Sequence, residues 1–152
     1  IFVGRMAGDI HDYMNNSALM DTIEIIPYVP HSTSIDYLMK ADAMLLLIDE
    51  DKYSSIILSG KVFEYLGAAL ISKKPVFAIA GDGEAKKLIE ETHAGVVIPH
   101  GHPEILSVEY LKLYNGFLNN INTFLPDVNA IARYERRLLT QKLAEVFDEA
   151  RK

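Results

Sequence analysis

The sequence predicts an α/β fold built on a doubly wound parallel sheet, with a helical extension at its C-terminal end. Three observations predict it. Short apolar runs recur at even spacing along the 152 residues. Segments with helical periodicity lie between them. The third and fourth runs are apolar almost without interruption, as strands covered on both faces should be. Strand alternating with helix argues for parallel strands joined by crossover helices.

The expected strands are "IFVG" at 1–4, "TIEIIPYV" at 22–29, "AMLLLID" at 43–49, "PVFAIA" at 75–80 and "GVVIP" at 95–99. A first helix is expected in "STSIDYLMK", with Ile35, Leu38 and Met39 on one face and Ser32, Thr33 or Ser34 as N-cap. "KVFEYLGAAL" places Val62, Leu66, Ala69 and Leu70 on one face, and "EAKKLIEE" does the same with Ala85, Leu88 and Ile89. Beyond Pro99 the pattern is helical only. One helical region starts near Pro103, with Asn115–Gly116 as an expected interruption. A long terminal helix follows, whose apolar positions Val128, Ile131, Leu138, Leu139, Leu143, Val146 and Phe147 share no single stripe. A bend, or contact with two different surfaces, is expected there. The domain is expected over 1–125, and the terminal helix over 126–152.

Composition narrows the function classes. Hydrophobic residues make up 49% and charged residues 24% of the chain, ordinary values for a globular domain. The net charge of −6 disfavours non-specific binding to nucleic acid, so no nucleic-acid partner is expected. With no cysteine the chain has neither disulfides nor thiolate metal ligands. That fits a reducing compartment, and a cytoplasmic location is expected. No apolar run reaches the roughly 18 residues that span a bilayer. The opening on "IFVG" is expected to mark a piece of a longer protein, cut just before a core strand.

In a doubly wound sheet, ligands bind outside the carboxyl ends of the strands. The loops after each strand therefore hold the candidates. "SGKVFE" puts Lys61 in the first turn of a helix, where the helix dipole already favours an anion. Gly60 before it would let backbone N–H groups approach a phosphate. The alternative is a solvated lysine paired with Glu64 or Asp49. Glu64, three residues on, could accept hydrogen bonds from a ribose diol or simply pair with Lys61. Gly81, Asp82, Gly83 and Glu84 form either a loop against a sugar or phosphate, or an ordinary turn with an acid in the first helical turn. Arg5, after the first strand, could hold a diphosphate bidentately or lie on the surface. His31, in "YVPHSTS", sits on a ligand-facing loop. The acidic group Asp49, Glu50 and Asp51 could do acid–base work, hold a cation, or be a solvated loop. His100 and His102 make an H-x-H without partners at metal spacing, so no metal site is expected.

Read in order, "FVGR", "IIPYVPHSTSIDYLMKADAMLLLI" and "SGKVFEYLGAALISKKPVFAIAGDGEAKKLIEETHAGVVIP" resemble the C-terminal, donor-binding domain of GT-B-fold glycosyltransferases of the family-4 (group 1) type. "GKVFEYL" with "KPVFAI" is the most specific part, and the terminal "YERRLLTQKLAEVFDE" also looks like the helix that follows this domain. The resemblance implies a Rossmann-like half-domain and a nucleoside-diphosphate-sugar donor, a UDP-sugar first, bound as a substrate with no separate cofactor. Arg5, Lys61 and Gly60 would then lie against the diphosphate, and Glu64 on the ribose hydroxyls. Tyr28, Val29, Pro30 and His31 would lie beside the base, with Gly81–Glu84 near the diphosphate or the sugar.

Three departures stand out. Ile57 occupies the place of a second glutamate that many members carry, so the hexose-contacting carboxylate is absent or displaced towards 49–51. "GAALISKKPV" is longer than usual, which implies an extra helical turn. The usual lysine beyond the Gly-Arg has no counterpart in "MAGDIHDYMNN".

The expected function is the donor half of a hexosyltransferase-like enzyme. Its acceptor half is an N-terminal domain not in this sequence, and the terminal helix packs back toward it. Peripheral membrane association of the whole enzyme is compatible with this. The chain alone is expected to bind nucleotide weakly and not to turn over. The alternatives are a non-enzymatic α/β nucleotide-binding or regulatory module, and a GT-B-fold nucleotide-sugar epimerase.

Overall fold

Strand and helix alternate through the first two-thirds of the chain because each apolar run is bounded by polar or glycine-containing turns. In the computed structural model, all residues are described except 51, 52, 54, 57, 120, 122, 123 and 152. The strands are β1 (Phe2–Val3), β2 (Ile25–Ile26), β3 (Met44–Leu47), β4 (Val76–Ile79) and β5 (Gly95–Ile98). The helices are α1 (Gly8–Asn15), α2 (His31–Lys40), α3 (Gly60–Ser72), α4 (Glu84–Glu91), α5 (Pro103–Leu118), α6 (Val128–Ala132) and α7 (Arg136–Ala150), with a 3-10 turn at Met20–Thr22. Each expected strand is found, shortened to its most apolar residues. The fold is α/β with parallel sheets.

The chain forms two compact units, Ile1–Leu38 and Met39–Lys152. In the first, β1 and β2 pair in parallel, Phe2 with Ile25 and Val3 with Ile26. Helix α1 was not among the elements expected from the sequence. Its apolar residues Ile10 and Tyr13 are exposed. Helix α2 begins at His31, immediately after Pro30, whose carbonyl accepts the Ser34 N–H at 3.1 Å. Ser32, Thr33 and Ser34 are therefore first-turn residues and not the N-cap. The Ser34 hydroxyl bonds back to the His31 carbonyl at 2.7 Å.

The second unit is built on the sheet β3-β4-β5, parallel throughout, with Met44 opposite Val76 and Val76 opposite Gly95. Opposed residues share a face of the sheet. Met44, Leu46, Val76 and Ala78 are buried on one face, and Phe77 and Ile98 on the other. Helix α3 packs against β3 and β4, α4 and α5 against β5, and α6 against α3. Strand β4, central in its sheet, is covered on both faces, as its unbroken apolar run predicts. Strand β3 is not: Leu45 and Leu47 are 44% and 58% exposed while their neighbours Met44 and Leu46 are buried. The expectation of burial on both faces fails for β3, which α3 packs against and which buries only the Met44–Leu46 side.

Local periodicity is reproduced where packing agrees with it. Val62, Leu66 and Ala69 of α3 are buried, joined by Ala68, while Leu70 is half-buried. Ala85, Leu88 and Ile89 are the buried residues of α4. Helix α3 runs on to Ser72 and is ended by Lys73 in the left-handed conformation, with its N–H on the Ala69 carbonyl at 3.0 Å. Asn115–Gly116 does not interrupt α5, which continues to Leu118; a helical glycine costs only about 1 kcal/mol against alanine. The expected terminal helix is two helices. Asp127 caps α6, accepting the N–H groups of Asn129 and Ala130. Tight i→i−3 bonds at Arg133, Tyr134 and Glu135 then end α6 before α7 starts. Ala130 and Ile131 of α6 are buried, whereas α7 buries none of its residues.

Candidate functional site at the carboxyl edge of the β3-β4-β5 sheet

Parallel strands end on one edge, and the helices that follow them begin there. In the second unit that edge collects the residues after β3, β4 and β5 and the N-termini of α3 and α4.

Helix α3 opens at Ser59, whose backbone is extended and whose side chain makes no capping hydrogen bond. A Cβ on Gly60 would meet nothing within 4 Å, so the approach to the first turn is clear. Lys61 is exposed, and among the described residues it forms no ion pair with Glu64 or Asp49. An uncompensated lysine thus sits where the helix dipole is also positive. Glu64 follows one turn later and is half-buried. Burial pushes the Tyr65 hydroxyl above its ordinary value, and the Glu64 carboxylate adds to the effect.

The β4–α4 loop is shaped differently. The Glu84 N–H, first in α4, donates to the Ser55 carbonyl at 2.9 Å. A Cβ on Gly83 would lie 2.6 Å from Ser55 Cα and 2.7 Å from its carbonyl oxygen. Ser55 therefore lies against the start of α4, and glycine at 83 is required by that close approach. The two acids of the loop are held by lysines of α4. Asp82 Oδ1 is 2.8 Å from Lys86 Nζ, and Glu84 Oε1 is 2.6 Å from Lys87 Nζ. The hydrogen bond from Lys86 holds the Asp82 carboxyl below its ordinary value.

Beside this loop is a cavity of about 400 Å³, lined by Glu50, Gly81, Asp82, Lys86 and His100 over a floor that includes Val97. His100 Nε2 is buried and has no hydrogen-bond partner among the described residues. The ring lies against Gly81, its Cδ2 4.0 Å from where a Cβ would stand. A larger, more open hollow of about 740 Å³ in the first unit is lined by Asp9, Asp12, Tyr13 and the turn after α1.

In the first unit, Gly4 ends β1 with φ of 126°, a conformation that favours glycine, and its N–H donates to the Ile26 carbonyl at 3.0 Å. Arg5 follows and stacks over the Tyr28 ring, its guanidinium carbon 5.6 Å from the centroid. Both residues follow parallel strands, and both are exposed. Val29 is half-buried, Pro30 exposed, and His31 is the first residue of α2.

No family model, curated protein or solved structure matches this chain.

Gly60, Lys61 and Glu64 thus share the opening of α3, and Gly81–Glu84 share the loop pinned by Ser55. Ile57 and Asp51 lie outside the described residues. In the sequence His100 stands out only as half of an H-x-H pair, and Glu50 only as one of three acids. The pair is split: His102 Nδ1 is 2.8 Å from Glu104 Oε1 at the start of α5, while His100 lines the cavity. The signal that could have found His100 is its place directly after β5, the positional rule that singled out Arg5 and His31.

Proposed function

We propose that this chain is the donor-binding half of a sugar transferase, of doubly wound Rossmann-like architecture, and that it binds a nucleoside-diphosphate sugar at the carboxyl edge of the β3-β4-β5 sheet. The observation that carries the reading is the opening of α3. A helix start with no side-chain cap, a clear approach at Gly60 and an exposed lysine with no ion-pair partner among the described residues together favour a phosphorylated ligand. Glu64 stands one turn behind, suited to accept two hydroxyl hydrogen bonds from a ribose. Lys61 then acts as a point charge on the diphosphate. Arg5 is assigned to the same ligand by the sequence resemblance alone. The transferase chemistry would consist of positioning the donor and stabilising the departing nucleoside diphosphate, with the acceptor supplied by another part of the intact protein.

Calorimetric titration with UDP, GDP and ADP tests the reading. At least one should bind and shift NMR signals around Lys61 and Glu64. The Glu64→Ala variant should then weaken UDP about tenfold, and 2′,3′-dideoxy-UDP hardly at all, for a charge-assisted hydrogen bond worth about 1.5–3 kcal/mol. Equal losses for the two ligands would remove the ribose role. Absence of binding by all three nucleotides would sink the donor reading.

A further inference from the structure

Helix α5 packs against β5, and its half-buried residues are Leu106, Glu109, Leu113 and Gly116, spaced three and four apart along one side. The opposite side carries an apolar stripe. Tyr110, Leu111, Tyr114, Phe117 and Leu118 are each between 46% and 59% exposed. The Tyr110 and Tyr114 rings stack, with centroids 6.2 Å apart and planes 8° off parallel, so much of the stripe is a stiff aromatic surface. Five large side chains, each about half exposed, present on the order of 500 Å², close to the most that a monomer ordinarily leaves in one patch. The stripe is also uncharged. No residue from 113 to 126 carries a charge, Glu109 and Lys112 pair with each other on the other side of the helix, and Glu104 pairs with His102 at its start. Across a two-fold axis a patch meets its own copy, so any charge on it would face its like. The α5 stripe has none to bring together. Helix α7 differs: Leu139, Leu143 and Val146 are exposed there too, but Glu135, Lys142 and Glu149 border them. A lipid surface fits α5 poorly. Helices that lie on membranes carry Lys and Arg on their polar face, whereas α5 has one lysine against two glutamates on a chain of net charge −6.

We infer that this chain forms a two-fold dimer in which α5 packs on α5 of a second copy, with Tyr110, Leu111, Tyr114, Phe117 and Leu118 at the centre of the interface. Pairing two such stripes buries about 1,000 Å², the size at which a specific interface becomes stable. Aromatic side chains without charges are also the composition of an interface core. The dimer requires nothing of the donor reading above.

Sedimentation equilibrium tests the dimer. At tens of micromolar the mass should be twice the 17.0 kDa of one chain. Tyr114→Glu and Phe117→Glu place a charge opposite its own copy and should each raise the dimer dissociation constant by about tenfold or more. Both positions are exposed in the single chain, so circular dichroism should show the fold unchanged; Tyr114→Ala with Phe117→Ala serves if the glutamates unfold it. Leu143→Glu, on α7, should leave the dimer intact. Like-charged chains meeting through an uncharged interface should associate more tightly as salt rises. A monomer at every concentration, a dimer broken by Leu143→Glu but not by Tyr114→Glu, or a dimer that salt weakens would each overturn the inference. So would a monomer that binds phosphatidylcholine vesicles and loses them in Phe117→Glu, since the stripe would then be covered by lipid.

Discussion

The carbonyl of Ser55 accepts the N–H of Glu84 at 2.9 Å, and the Ser55 backbone lies against Gly83 so closely that no Cβ fits there. A loop from one βα unit thus covers the helix start of the next. Neither α3 nor α4 has a side-chain cap, but the first N–H of α4 is engaged by the Ser55 carbonyl.

Gly83→Ala should detach that loop. The colliding atoms belong to backbone and cannot swing aside, so a cost of about 1–3 kcal/mol is expected in urea denaturation. The Glu84 amide should exchange with solvent much faster in the variant. Unchanged protection at Glu84 would show that the contact does not hold the loop.

Gly95→Ala should be worse. A Cβ there would stand 1.8 Å from the Val76 carbonyl oxygen, inside the β4-β5 ladder where Val76 is 1% exposed. The two paired backbones would have to part, at a cost of about 3 kcal/mol or more. A midpoint within about 1 kcal/mol of wild type would contradict this packing.

Lys61→Ala should weaken a nucleoside diphosphate by about five- to tenfold while barely changing the parent nucleoside, since a point charge acts on phosphate and not on the base. Gly60→Ala meets no atom within 4 Å, so stability should hold; any loss of affinity then reports how near the phosphate comes to the α3 backbone. Equal losses for nucleoside and diphosphate in Lys61→Ala would remove Lys61 from the phosphate site.

Asp127 should make the docking of α6 sensitive to acid. Its carboxyl is held below the ordinary value, near 3.8, chiefly by the Ala130 N–H and also by that of Asn129, against a smaller opposing effect of burial. The folded chain therefore holds this proton less tightly than the unfolded chain does. The stabilisation is complete above about pH 4 and is lost as pH falls through the lowered folded value. Asp127→Asn keeps a capping oxygen and should flatten the acid limb of the stability curve with little loss at neutral pH. Asp127→Ala should lower the melting temperature at neutral pH as well. A wild-type acid limb in Asp127→Asn would assign the titration to another group.

Much of this was legible in the sequence because it depends on near neighbours. Strand positions follow from unbroken apolar runs, and the buried face of α4 follows from the 3.6-residue spacing of Ala85, Leu88 and Ile89. The opening of α3, with Gly60, Lys61 and Glu64 on one turn, is equally local. Helix starts were less legible: α2 begins on His31 because Pro30 supplies the first carbonyl, and three nearby hydroxyl residues had masked that start. A bend in the terminal helix was legible in its split apolar stripe, and the tight turns at Arg133–Glu135 make it a break between α6 and α7.

What the sequence by itself determined is the alternation of strand and helix, the apolar stripe of each packed helix, and the set of residues that follow each strand. Only the tertiary structure decided that β3 is covered on one face, that Gly95 and Gly83 each admit another backbone, and that the Nε2 atom of His100 is buried. The same holds for Asp127, whose N–H bonds the carbonyl of the buried Thr92 at 2.8 Å. Periodicity and capping are set by residues a few positions apart, so one chain displays them. Burial, close approach and the pairing of a polar atom are set by what lies across the fold, at sequence separations that no local pattern records.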